Sequence, residues 1–120
     1  MSGNNEYGDL AVLDLTTLLE AFGEIGEDAK HTMRLFVGHT RALLDAITER
    51  LDAGDLAGAS ESAHAAKGAA NMTGTLRLGA LCGDIDRALR AGDASAARQK
   101  LASLPAIFTE AETEIRKIAG

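Results

Sequence analysis

Tryptophan is absent from the 120 residues, and one tyrosine and three phenylalanines make up the whole aromatic set. Any core must therefore be built from Leu, Ile, Val and Ala. Cysteine occurs once, at Cys82, which excludes an internal disulfide and a zinc site made of thiolates. Proline also occurs once, at Pro105, and no Pro/Ser-rich linker divides the chain. No run approaches the roughly 18 uninterrupted apolar residues of a membrane span. Positive charge is in short supply: 12 Lys and Arg stand against 18 Asp and Glu, a net charge of −6. That balance argues against a nucleic-acid binder and against a polybasic membrane binder, since both need a positive field. Met1 to Asp9 lacks the basic-then-apolar layout of a secretion signal, so the expected compartment is the cytoplasm.

What is present fits one domain with a single core. The 13 glycines are scattered without a period, which excludes collagen-like and low-complexity readings. Seven acids (Glu6, Asp9, Asp14, Glu20, Glu24, Glu27, Asp28) precede the first basic residue, Lys30. Residues 1–11 read as a flexible acidic lead-in, and residues 12–120 as a helical domain.

Apolar spacing is helical nearly throughout. Asp14 is a candidate N-cap for a short helix with Leu15, Leu18, Leu19 and Phe22 on one stripe. A long helix runs from about Glu27 to Leu51 and carries Met33, Phe36, Val37, Leu44, Ile47 and Leu51. Ala53-Gly54-Asp55 reads as a helix stop followed at once by a start, and Ala91-Gly92-Asp93 repeats it. Two such turns imply two antiparallel helix hairpins. Between them, Asp55 to Thr73 carries Leu56, Ala59, Ala63, Ala66 and Ala70, and the next helix carries Leu78, Leu81, Ile85 and Leu89. The last stripe runs through Ala97, Leu101, Leu104, Phe108, Ala111, Ile115 and Ile118. It keeps its phase across Pro105, which predicts one kinked helix there. The expected fold is all-α: an antiparallel four-helix bundle with a short additional N-terminal helix.

Few side chains offer chemistry. Serine-nucleophile, P-loop and dinucleotide motifs are missing. His31 and His39 lie eight residues apart, about 80° around a helix, without metal-ligand spacing, and read as surface histidines. Cys82 reads as a small buried hydrophobe. His64 differs. On a helical wheel it points about 130° from the Ala63/Ala70 centre, toward solvent, with Lys67, Gly68 and Asn71 within about 60° of it. Ser60, Glu61, Ala65 and Gly68 wall the imidazole, and all but Glu61 are small. A mid-helix Gly costs about 1 kcal/mol relative to Ala, so Gly68 points to a packing or access requirement. An isolated surface histidine is the plain alternative reading.

The string His64-Ala65-Ala66-Lys67-Gly68, followed by Gly74, Leu78 and Cys82, resembles the histidine-containing phosphotransfer (HPt) domain family. Val12-Leu13-Asp14 and Ala53-Gly54-Asp55-Leu56 extend the likeness, and Asp86 stands where an acidic residue, more usually Glu, follows the Cys. Ala66 departs from the larger aliphatic residue of that pattern. The resemblance implies that His64 accepts and donates a phosphoryl group and that Lys67 steadies the phosphate. Gly68, Ser60, Glu61, Ala65 and Asn71 then form the face on which a partner docks.

Imidazole titrates closest to neutrality of all side chains, so an exposed one is in good part neutral and nucleophilic at pH 7. Transfer through a loose, charge-spread transition state needs mainly positioning and cations. By the resemblance, the expected partners are receiver domains of response regulators and of a hybrid histidine kinase. They supply the aspartate and the Mg²⁺, and this chain, expected to be a monomer, binds no cofactor of its own. Neither kinase nor ATPase activity is expected. A kinase dimerisation domain would place an acidic residue directly after the histidine, where this chain has Ala65. A metal-binding bundle lacks ligand spacing. A non-catalytic adaptor bundle, with His64 incidental, is the alternative.

Overall fold

The apolar periodicity folds into six helices in the computed structural model, which describes residues 6–120. They are α1 (Thr16–Phe22), α2 (Glu27–Asp52), α3 (Leu56–Thr73), α4 (Leu76–Arg90), α5 (Ala94–Leu101) and α6 (Leu104–Ala119). No strand occurs among the described residues, and no helix there is long and apolar enough to cross a membrane. The fold is the expected all-α bundle. α3 packs between α2 and α4, α6 closes the bundle against α2 and α4, α5 lies on α4, and α1 covers α2 and α3.

Both Ala-Gly-Asp turns are built alike. Gly54 and Gly92 take left-handed backbone, with φ of 79° and 75°. The Asp that follows each turn back-bonds to the preceding helix and accepts a hydrogen bond from an amide three residues on, Gly58 for Asp55 and Ala96 for Asp93. Gly74, between α3 and α4, has φ +90°. A β-carbon there would collide with the backbone of Asp14, whose N–H donates to the Gly74 carbonyl at 2.7 Å.

The core is largely aliphatic, as the composition demands, with Tyr7, Phe36 and Phe108 as its buried aromatics. Met33, Ile47, Leu78, Leu81, Ile85, Ile107 and Ile115 are fully buried, each burial contributing about 1.5–3 kcal/mol. α3 supplies only methyl groups at Ala59, Ala63, Ala66 and Ala70, all at 0% exposure.

Three expectations need correction. The last stripe is two helices, not one kinked helix: the chain breaks at Ala102 and Ser103, and Pro105 falls in the first turn of α6. Proline has no N–H to donate, and in a first turn none is needed, so the break removes the cost of an interior proline. In α1 only Leu18 is buried, while Leu19 and Phe22 are exposed. A helix of two turns buries one edge, and the other edge faces solvent. Leu15 takes the N-cap position of α1, and Asp14 instead accepts from the Thr16 amide and hydroxyl.

The lead-in differs too. Residues 1–5 lie outside the described residues, but Glu6–Ala11 is docked. Tyr7 is 7% exposed and donates its hydroxyl to Asp84, Glu6 pairs with Lys100, and Arg77 donates to the carbonyls of Leu10 and Gly8. Burial first, then the charge of Glu6, pushes the Tyr7 phenol up to about 12.

Candidate functional site

The site stands on α3 and α4, whose close approach follows from small residues on both. The α3 stripe is alanine, and α4 turns Gly79 and Gly83 toward it. A β-carbon at Gly79 would collide with the Asn71 side chain, and one at Gly83 would stand 3.5 Å from Cδ of Lys67. The absent side chains of α4 are therefore the seats of two α3 side chains that flank His64.

His64 projects from the middle of α3 with its side chain 65% exposed. Its Nδ1 faces Oδ2 of Asp86, on α4, at 3.5 Å. That carboxylate is buried, its side chain only 8% exposed. Its other oxygen, Oδ1, accepts from Ser60 Oγ at 2.6 Å and from Arg90 Nε at 3.1 Å. Burial works against ionisation of Asp86. The hydrogen bonds from Ser60 and Arg90, with the charges of Arg90 and His64, outweigh it and hold the carboxyl below the ordinary carboxylate range. An ionised carboxylate thus lies behind the inner ring nitrogen, while the outer edge of the ring meets solvent.

Lys67 is half-buried along its stem, one turn beyond His64. It lines, with Asn71, Tyr7, Gly83 and Arg87, a groove of about 380 Å³ between α3, α4 and the docked lead-in. Gly68 is exposed, and a β-carbon there would meet nothing within 4 Å. Internal packing therefore gives no reason for a glycine at this position. Glu61 and Ala65 are exposed beside His64. Asn71 is exposed, but its carboxamide leans against α4. Ser60, expected on the docking face, is half-buried and turns its hydroxyl inward to Asp86.

His31 and His39 are exposed on α2, a helix that contributes no side chain to this constellation. Cys82 is fully buried, and burial pushes its thiol up to about 12, which suits a packing residue. No three His, Cys, Asp or Glu side chains among the described residues converge to hold a metal ion.

Arg90 was not among the expected site residues, and Ser60 was expected on the docking face, not behind the histidine. Arg90 carried one usable signal, its position four residues after Asp86 on the same helix face. The inward role of Ser60 carried none, because its partner lies 26 residues away on another helix.

The site is an exposed imidazole raised on a helix, with a lysine one turn away and a buried carboxylate behind its inner nitrogen. No curated protein and no solved structure matches the chain. The family model described as "Hpt domain" matches residues 31–115, which takes in α3, α4 and α5 whole and most of α2 and α6. Members of this family are phosphocarriers that act with receiver domains in two-component signalling. The chain belongs to the Hpt domain family.

Proposed function

We propose that this protein is a cytoplasmic intermediate of a multi-step phosphorelay, carrying a phosphoryl group on Nε2 of His64 between aspartates of receiver domains. The observation that carries the reading is the two-sided environment of His64: Nδ1 faces the buried Asp86 carboxylate, and the rest of the ring is open to solvent. With its proton on Nδ1, the neutral ring offers the Nε2 lone pair outward.

The lone pair attacks phosphorus of a receiver's aspartyl phosphate. The N–P bond forms as the P–O bond breaks, and the aspartate leaves with the bonding electrons. No proton has to move, because Nδ1 keeps its own. The positive charge that spreads over the ring lies against Asp86, and Lys67 is placed to meet the phosphoryl oxygens. Return transfer to a second receiver is the same step reversed. In this reading the Mg²⁺ and the acceptor aspartate come with the partner, and Gly68, Glu61, Ala65 and Asn71 lie on the docking face.

The test is incubation with a panel of phosphorylated receiver domains. The chain gains an acid-labile, alkali-stable adduct, as a phosphoramidate requires, and His64→Gln abolishes it. ATP alone gives no labelling. Label retained in His64→Gln overturns the assignment, and labelling of the isolated chain by ATP overturns the carrier reading in favour of a kinase.

A further inference from the structure

Ser60 and Arg90 reach the same oxygen of Asp86 from different helices. Ser60 is one turn before His64 on α3, and Arg90 is one turn after Asp86 on α4. Both donate to Oδ1, which leaves Oδ2 directed at Nδ1 of His64. The two donors are not equivalent. Arg90 is a long side chain, 61% exposed, whose planar fork can hold both oxygens of a carboxylate at once. The Ser60 hydroxyl is short, half-buried and rooted in the helix that carries the histidine. With Arg90 alone, the carboxylate is free to turn and give both oxygens to the guanidinium, away from the imidazole.

We propose that Ser60 is a positioning residue for His64, acting through Asp86 to keep the ring proton on Nδ1 and the Nε2 lone pair free. In a neutral imidazole the nitrogen that faces a hydrogen-bond acceptor keeps the proton and the other offers its lone pair, so the hydroxyl selects the reactive tautomer without touching the phosphoryl group. The consequence for transfer rests on the carrier reading above. The consequence for the tautomer does not.

The experiment records ¹⁵N shifts of the histidine ring nitrogens at alkaline pH, where imidazoles are neutral, for the full chain and for Ser60→Ala and Ser60→Thr. In parallel, single-turnover transfer from a phosphorylated receiver is timed for each. The unaltered chain shows the Nδ1–H form of His64 in excess. Ser60→Ala shifts His64 toward the Nε2–H form and slows transfer about tenfold, the order of one hydrogen bond to a charged group. Ser60→Thr, which keeps the hydroxyl, restores both. His31 and His39 serve as internal references that do not change. A tautomer ratio unmoved by Ser60→Ala overturns the proposal, as does a shifted ratio with unchanged transfer. If no receiver labels the unaltered chain, the carrier reading falls, and the ring shifts alone still decide whether Ser60 sets the tautomer.

Discussion

The aliphatic stem of Lys67 crosses α4 directly over Gly83, where a β-carbon would stand 3.5 Å from Cδ and 3.6 Å from Cε. Those are ordinary contact distances, so the helix leaves just enough room for one methyl group. Gly83→Ala should therefore raise stability by up to about 1 kcal/mol, the helix-propensity difference, and leave transfer unchanged. Gly83→Leu should displace the stem and slow transfer toward the level of Lys67→Ala, which itself remains measurable because one cation carries only part of the charge stabilisation. Urea denaturation reads the first effect and timed transfer the second.

Gly68 gives the opposite pairing of signs. The space around it is open, so Gly68→Gln should stabilise the fold by several tenths of a kcal/mol through helix propensity. The same side chain rises one turn from His64 and should obstruct a receiver closing over the ring, so transfer falls sharply. Unchanged transfer would put the docking face on the other flank of α3.

At Gly74 two penalties add. A left-handed backbone costs a residue with a β-carbon about 1–2 kcal/mol, and here that carbon also collides with the Asp14 backbone. Gly74→Ala should destabilise by more than about 2 kcal/mol in chemical denaturation. The damage should begin at the α3–α4 corner and the lead-in anchored to it, visible as faster amide exchange at Asp14 and Arg77.

Asp86 makes a prediction about acid. Its folded-state pKa is depressed, so the native protein binds fewer protons there than the unfolded chain, and stability rises with pH through that range. The contribution is fully present above the unfolded carboxylate value of about 3.9. It is lost as pH falls through the lower folded value. Asp86→Asn should therefore flatten the acid limb of the stability–pH curve below about pH 4, leaving the exposed carboxylates to account for what remains.

Much of the bundle was legible because its signals are local. Gly54-Asp55 and Gly92-Asp93 each carry a left-handed turn and a cap within a few residues, and the outward direction of His64 follows from the phase of four alanines. The break at Ala102 and Ser103 was not legible, since the apolar stripe runs through it in phase and Pro105 suits either a kink or a first turn. The docking of Glu6–Ala11 hangs on Tyr7 and on Arg77, 70 residues away from it in sequence, with no periodicity to announce it. The site divided the same way. His64, Lys67 and Gly68 share one stretch of helix and could be read together. The approach of Asp86 to the ring and the inward hydroxyl of Ser60 depend on how α3 and α4 meet, which no spacing within either helix records.

The alanine stripe of α3 has a consequence for timing. Methyl groups have no rotamers to exchange, so a helix seated on Ala59, Ala63, Ala66 and Ala70 adds no side-chain rearrangement of its own to any slide or roll. The His64 ring is thus mounted on a helix whose buried stripe has no side-chain rotamers of its own to exchange. A partner arriving at such a fixed post gains affinity from an arrangement already ordered, and the entropy of fitting the two surfaces falls on the partner. In the relay proposed above, passage from one partner to the next then requires no rotamer exchange on the buried stripe of α3.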